Sequence, residues 1–219
     1  MPGYKYILLD WDGCLAKTHD LWLQVYKKIL KERNLAIPED REIIKRSFGL
    51  WVKGLENLGV LDSEVAFDHA WKEVEKRYSG VELYNGVLDL LENLKKRDKK
   101  LGLLTSSIRK VVADALDRRH LKKYFDAFVA RDDVKNGKPD PEQIYKSLEI
   151  LGGKKDEALI MGDSYHDIRA GKSAGVTTVC YYPKDNFKFY TKDDIEKEKP
   201  DFVISDLLEL VRIVDREAE

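Results

Sequence analysis

The stretch that most restricts the fold of this chain is an apolar run that ends in two acids, YILLDWDG at residues 6–13. The run is typical of a strand buried inside a sheet, and Asp10 and Asp12 come where that strand should end. Carboxylates in apolar surroundings cost free energy unless a metal ion, a cation or several amide donors compensate them. The run therefore predicts a buried strand whose end delivers two carboxylates to a site that compensates their charge.

The bulk composition narrows the class of protein. The 219 residues are enough for one domain, or for a core with a smaller accessory domain. Charged residues make up 36% and hydrophobic residues 43%, a soluble globular composition, and the net charge of −1 argues against a nucleic-acid binder with a strong basic field. Only Cys14 and Cys180 are cysteines, and the chain shows no signal peptide and no apolar run of about 20 residues. We expect a cytoplasmic protein that binds neither nucleic acid nor a membrane.

Short apolar runs alternate with helix-length amphipathic segments over most of the chain, which predicts parallel strands joined by crossover helices. Residues 18–80 break this alternation, because they read as successive helices without a strand. The predicted fold class is therefore α/β, a Rossmann-like parallel-sheet core at 1–16 and 84–219 with an inserted all-helical cap at 17–83. Strands are expected at 5–9, 100–104, 127–130, 158–161, 176–181 and 202–204. Helices are expected at 20–34, 39–48, 50–58 and 62–78 in the insert, and at 86–97, 108–120, 141–151, 166–174 and 206–214 elsewhere.

Polar residues follow four of the predicted strands, at the edge where open parallel sheets bind ligands. The side chains expected to share this edge are Asp10, Thr105, Ser106, Lys138, Asp163 and Asp167. Carboxylate oxygens suit a hard divalent ion, most simply Mg²⁺, and the ion and Lys138 would neutralise charge between the acids and a phosphate. A carboxylate such as Asp10 can then attack phosphorus. Asp12, two residues further along an extended chain, lies on the same side and could protonate the leaving alcohol and then activate water.

The motifs DWDGCL, Thr105–Ser106, GKPDP and GDSYHD, in this order within residues 10–167, resemble the haloacid dehalogenase superfamily. They resemble its phosphatase branch, in which a helical cap is inserted after the first strand. The rest of the chain, including DFVISDLLELV near the C-terminus, resembles phosphoglycolate phosphatase-like and β-phosphoglucomutase-like members. The resemblance covers nearly the whole chain, more loosely in residues 18–80.

The resemblance implies a role for each acid. Asp10 would be the nucleophile and Asp12 the general acid and base. Asp10, Asp163 and the backbone carbonyl of Asp12 would bind Mg²⁺, and Asp167 would hold the ion directly or through water.

The resemblance also implies a phosphate site. The Thr105 hydroxyl and the Ser106 amide would bind the substrate phosphate, and Lys138 would neutralise the phosphate and the nucleophile. Cys14 stands where the family often has threonine and is expected to pack in the turn, so this departure should be tolerated.

The insert offers candidates for substrate selection. Lys17, Arg46 and Lys53 are cations of the cap or its hinge that could bind a carboxylate or a second phosphate of the substrate. Trp51 could stack on an organic leaving group, although packing is the favoured role.

Two further sets of residues are interpreted as structural. Trp22, Tyr26, Phe67 and Trp71 recur at helical spacing, which favours packing inside a helical bundle over contact with a ligand. His166 lies between the acids of GDSYHD, but its place on a helical turn favours a surface position.

The leading hypothesis is a Mg²⁺-dependent phosphatase that hydrolyses a small phosphorylated metabolite, phosphoglycolate-like or a sugar phosphate, through an aspartyl phosphate on Asp10. A phosphomutase of the β-phosphoglucomutase type is the alternative within the family. A phosphate-accepting receiver domain is a different class, and the helical insert, Asp12 and the Asp163/Asp167 pair argue against it. A non-catalytic binding protein of this fold would be expected to lack a core residue, and none is missing. Sequence leaves open the substrate, hydrolysis against transfer, and the oligomeric state.

Overall fold

The computed structural model describes residues 3–78 and 80–216. Six strands form one parallel sheet in the order β3-β2-β1-β4-β5-β6. The strands are β1 (Tyr6–Asp10), β2 (Lys100–Leu104), β3 (Ala127–Val129), β4 (Ala158–Gly162), β5 (Thr177–Tyr181) and β6 (Phe202–Ile204). The strands predicted from sequence are confirmed, each with ends within one residue of the expected position.

Five helices lie between β1 and β2, and we call the first four the helical cap. They are α1 (His19–Glu32), α2 (Asp40–Ser47), α3 (Trp51–Asn57) and α4 (Ser63–Tyr78). The later helices are α5 (Val87–Lys96), α6 (Arg109–Arg118), α7 (Glu142–Leu151), α8 (Tyr165–Ala174), α9 (Lys192–Glu196) and α10 (Leu208–Arg216). The α/β fold with a helical insert is confirmed. No helix within the described residues is long and apolar enough to cross a membrane.

The sheet is buried on both faces, which explains the continuous apolar runs of its strands. Along β1, Ile7 and Leu9 point into a large cluster that continues into the helical cap, whereas Leu8 points into a smaller cluster. The smaller cluster includes Ile144 of α7 and Ile160 of β4. All five residues have no exposed surface, so the alternating side chains of β1 contribute to two separate layers.

The position of β1 in the sheet determines where the acids go. β1 pairs with β2 on one side and β4 on the other, with Asp10 opposite Leu104 and Leu9 opposite Met161. The residues that follow β2 and β4 therefore flank the end of β1 at one edge. The chain builds β2 and β3 on one side and β4 to β6 on the other, so this edge is the topological switch point at which α/β sheets bind ligands.

Candidate active site

Three carboxylates and a lysine from distant parts of the sequence meet at the end of β1. Carboxylate oxygens of Asp10, Asp163 and Asp167 lie within 4.8 Å of one another, and all three residues are buried. Lys138 Nζ donates hydrogen bonds to Asp10 Oδ1 and, at 2.6 Å, to Asp167 Oδ1. The structure thus brings together the acids and the lysine that the sequence placed after three different strands.

The electrostatics of this cluster show a shortage of positive charge. Burial raises the pKa of Asp10 well above its usual value despite the nearby Lys138, and burial also raises the pKa of Asp163. Burial disfavours the charged form of Lys138, but the carboxylates of Asp10 and Asp167 outweigh it and raise the pKa of the lysine. Asp10 Oδ2 is buried without a hydrogen-bond partner, and Asp163 Oδ2, also buried, faces His19 Nε2 at 3.1 Å. Clustered buried carboxylates with an unpartnered oxygen fit a divalent cation.

The fourth acid, Asp12, is held by hydroxyl groups from both the core and the cap. Its Oδ2 accepts a hydrogen bond from Thr105 Oγ1 at 2.7 Å, and its Oδ1 accepts one from the hydroxyl of Tyr78. Tyr78 is the last residue of α4 and is fully buried, with its hydroxyl 3.2 Å from Ser107 Oγ. Sequence analysis did not single out Tyr78, because its spacing is that of any residue packed inside a helical bundle.

Gly13 allows the backbone to pass close to the cluster. It has φ +82°, and a Cβ there would lie 2.3 Å from His19 Cε1 and 2.7 Å from Asp163 Oδ2. Only glycine combines this left-handed conformation with so close an approach. The His19 ring, whose Nε2 is 3.1 Å from Asp163 Oδ2, stacks on Phe189 with ring centroids 4.6 Å apart, and Phe48 packs against it at a tilt of 34° with centroids 4.4 Å apart.

A cavity of about 30 Å³ lies between the carboxylates and the helical cap, enough for roughly two water molecules. Its core side is lined by Asp10, Asp12, Ser106, Ser107, Lys138, Asp163, Ser164, His166 and Asp167. Its cap side is lined by Gly49 and by six aromatic residues, which we call the aromatic wall: Trp22, Tyr26, Phe48, Trp51, Phe67 and Trp71. The catalytic candidates of the core therefore face the cap across a narrow cavity.

The predicted phosphate and specificity residues are placed differently. Ser106 lines the cavity, whereas Thr105 lies beneath it with its hydroxyl on Asp12. Lys17 pairs with Asp185 at 2.8 Å, and Lys53 pairs with a neighbouring glutamate at 2.9 Å. The Arg46 guanidinium donates to a backbone carbonyl of the cap. None of these three cations lines the cavity.

His166 was expected at the surface, and this interpretation is wrong. It is 5% exposed and lines the cavity, close to Gly49 of the cap. The first turn of α8, on which it lies, packs under the turn between α2 and α3. Burial lowers the pKa of His166 to about 4, so the imidazole is neutral at neutral pH.

The chain is similar to proteins of known family. The sequence profile of the haloacid dehalogenase-like hydrolases matches residues 7–181. The pyrophosphatase PpaX of Bacillus cereus is 36% identical over 216 residues, which is 95% of each chain. The pyrophosphatase PpaX of Halalkalibacterium halodurans is 37% identical over 134 residues, and that alignment spans 61% of this chain and 60% of that protein.

A solved structure shows the same fold over almost the whole length. The crystal structure of a putative haloacid dehalogenase-like hydrolase from Bacteroides fragilis superimposes with a TM-score of 0.85 and 24% identity. The match covers 94% of this chain and 99% of that one.

Proposed function

The chain belongs to the haloacid dehalogenase-like hydrolase family, and from that premise we propose that it is a Mg²⁺-dependent phosphatase acting through an aspartyl phosphate on Asp10. The observation that carries the proposal is the buried cluster of Asp10, Asp163, Asp167 and Lys138, at the family's motif positions and under a closed cap. The substrate would be a small phosphorylated metabolite, because the cavity between cluster and cap is small.

The carboxylates of Asp10, Asp163 and Asp167 would hold the ion, together with the backbone carbonyl of Asp12. When bound, the ion supplies the positive charge that these acids lack and stabilises negative charge that develops on the transferring phosphoryl group. Lys138 is already engaged by Asp10 and Asp167, so it neutralises the nucleophile and orients it at the end of β1.

The residues support two chemical steps. In the first, a carboxylate oxygen of Asp10 bonds to phosphorus while the bond from phosphorus to the leaving oxygen breaks, and Asp12 gives its proton to that oxygen. In the second, Asp12 takes a proton from water, whose oxygen bonds to phosphorus, so that inorganic phosphate leaves and Asp10 is regenerated. Ser106, with Thr105 beneath it, would position the phosphate, and the cap would keep bulk water out.

The proposal is tested with p-nitrophenyl phosphate and with acetyl phosphate, whose leaving group is small. The protein should release inorganic phosphate with Mg²⁺ and stop with EDTA, and Asp10→Asn should reduce kcat by at least ~10⁴-fold. Asp114→Asn, a matched change on the exposed face of α6, should retain full activity. Activity that survives Asp10→Asn would refute the nucleophile.

The first compounds to assay are inorganic pyrophosphate, because relatives bear the name pyrophosphatase, and phosphoglycolate and sugar phosphates, because of the motif resemblance. Comparison of kcat/KM across this panel would rank them. We also propose a cytoplasmic location, with which the buried, unpaired thiols of Cys14 and Cys180 are in keeping.

A further inference from the structure

The aromatic wall is a stack of rings inside the catalytic cavity. Trp51, Phe67 and Trp71 stack on one another with ring centroids 5.2 to 6.3 Å apart and planes 16° to 23° from parallel. Trp22 extends the stack, with its ring 5.2 Å from Trp71 and 28° from parallel. Three helices, α1, α3 and α4, contribute these rings. The side of the cavity that faces away from the carboxylates is therefore lined by aromatic rings whose planes are nearly parallel.

The rings of the wall are uncharged, and the Arg131 guanidinium, which does not line the cavity, lies 5.2 Å from the centroid of the Trp51 ring. Among the described residues that line the cavity, Lys138 is the one basic side chain, and Asp10 and Asp167 already engage it. The three cations predicted for the cap lie elsewhere. Within the cavity, a second anionic group on a substrate would have to lie against apolar rings and near four carboxylates, where Lys138 is already engaged.

The backbone around Trp51 shows that this ring is held in place at a cost. Trp51 has φ +54°, a left-handed conformation that is strained for a bulky residue, and it follows Gly49 at φ +75°. The Trp51 indole N–H donates to the backbone carbonyl of Ser106 at 2.7 Å, which joins the wall to the loop that faces the phosphate. The ring is nevertheless only partly buried. Strain, a cross-domain hydrogen bond and residual exposure together indicate a ring positioned for a ligand.

From this wall we propose that the physiological substrate is a phosphate monoester whose leaving group is flat and uncharged, such as an aryl or arylmethyl alcohol. The proposal rests on the phosphatase function proposed above. Because the cavity holds only roughly two waters, a leaving group must displace the stacked rings. A flat group replaces ring–ring stacking with ring–ligand stacking at little loss, whereas an aliphatic or anionic group does not. Phosphoglycolate and pyrophosphate would therefore be poor substrates of this chain.

The first experiment compares leaving groups at the same reaction. Benzyl phosphate, n-butyl phosphate, phosphoglycolate and inorganic pyrophosphate are assayed with Mg²⁺, the first three having alkyl alcohols as leaving groups. We expect kcat/KM for benzyl phosphate to exceed that for n-butyl phosphate by ~10-fold. It should exceed kcat/KM for phosphoglycolate and pyrophosphate, whose leaving groups are charged, by at least ~30-fold. Equal kcat/KM for benzyl and butyl phosphate, or a higher kcat/KM for phosphoglycolate or pyrophosphate than for benzyl phosphate, would overturn the proposal.

The second experiment changes the wall. Trp71→Leu should lower kcat/KM for benzyl phosphate by ~10-fold while changing that for acetyl phosphate by less than ~3-fold, because acetyl phosphate does not reach the rings. Trp71→Phe keeps a flat ring and should restore most of the loss. Tyr145→Leu, an exposed aromatic of α7 outside the cavity, is the matched control and should change neither rate. A Trp71→Leu enzyme that loses both activities equally would contradict a role in selection.

Binding separates failure of this proposal from failure of the phosphatase function. Benzylphosphonate and phosphonoacetate cannot be hydrolysed, so calorimetry measures their Kd even in a protein without activity. With Mg²⁺ present, we expect benzylphosphonate to bind at least ~10-fold more tightly than phosphonoacetate. Tighter binding of phosphonoacetate would overturn the proposal whatever the enzyme hydrolyses, whereas loss of acetyl phosphate hydrolysis alone would count against the phosphatase.

Discussion

The two sides of the cavity are built on opposite principles. On the core side, buried charges compensate one another, as Lys138 does for Asp10 and Asp167. On the cap side, uncharged rings such as Trp51 and Trp71 stack on one another without a salt bridge. Charges that must handle a phosphoryl group suit any phosphate ester, whereas packed rings distinguish one leaving group from another. We infer from this difference that the core side carries out phosphoryl transfer and the cap side selects the leaving group.

The largest effect should come from removing Lys138, the one lysine or arginine among the described residues that line the cavity. Lys138→Met leaves Asp10 and Asp167 buried with no protein counter-charge, so we expect the free energy of unfolding to fall by roughly 3–5 kcal/mol. Activity should fall by at least ~10³-fold, because the charge that orients the nucleophile is gone. Urea unfolding and kcat/KM for p-nitrophenyl phosphate measure the two effects.

Lys172→Met, on the exposed face of α8, is the matched control for that substitution and should change neither quantity by much. A Lys138→Met protein that kept wild-type kcat/KM would show that the two sides of the cavity do not divide the work as described.

A smaller effect should come from the residue that joins the two sides. Tyr78→Phe removes the cap hydroxyl that donates to Asp12, so Asp12 is less well placed to protonate a leaving alcohol. We expect release of benzyl alcohol in the first turnover to slow by ~10-fold. Release of p-nitrophenolate, which leaves without a proton, should slow by less than ~3-fold.

Rapid-quench measurement of the first turnover tests this difference, with Tyr145→Phe as the exposed control. An equal slowing for both leaving groups would mean that Tyr78 supports the fold of the site without positioning Asp12.

A still weaker effect on kcat/KM is expected from breaking the surface ion pairs that join the cap and the core. Asp20 of α1 accepts from Lys188 at 2.7 Å, and both side chains are more than half exposed. Exposed pairs contribute little and are screened by salt. Asp20→Asn should therefore change kcat/KM by less than ~2-fold, and 0.5 M NaCl should remove even that difference. A loss of kcat/KM beyond tenfold would show that closure of the cap depends on this ion pair.

The smallest effect is expected at a cation that sequence analysis had put forward for the cap. Lys53 is exposed and paired with Glu56 within α3, away from the cavity. Lys53→Gln should leave kcat/KM for benzyl phosphate and for phosphoglycolate unchanged within ~1.5-fold. A selective loss of kcat/KM with phosphoglycolate would mean that the Lys53 charge acts on the leaving group. The comparison between a charged core side and an uncharged cap side would then fail.

The core side could be predicted because its residues are fixed by rules that sequence reveals. Asp10 and Asp163 directly follow apolar runs, and parallel strands bring their ends to one edge. The aromatic wall could not be predicted in this way. Trp22 and Trp71 have the helical spacing of bundle-packing residues, and they do pack together. Whether such a ring also lines a cavity depends on how α1, α3 and α4 lean together, which periodicity does not encode.

Two misses have more local causes. His166 was placed outside the site because helical spacing alone ignores the cap turn that covers the first turn of α8. The five-residue α9 escaped notice because it is too short for periodicity. Its signal was the capping box, in which Thr191 accepts a hydrogen bond from the Asp194 amide and Asp194 reaches back.

The position of the aromatic wall has an optical consequence. Three of the chain's four tryptophans belong to it, and the fourth, Trp11, is buried in the core. Emission from the protein should therefore come mainly from indoles that border the cavity. Ligand entry and cap movement should change its intensity and wavelength, so the molecule carries its own spectroscopic reporter without a label.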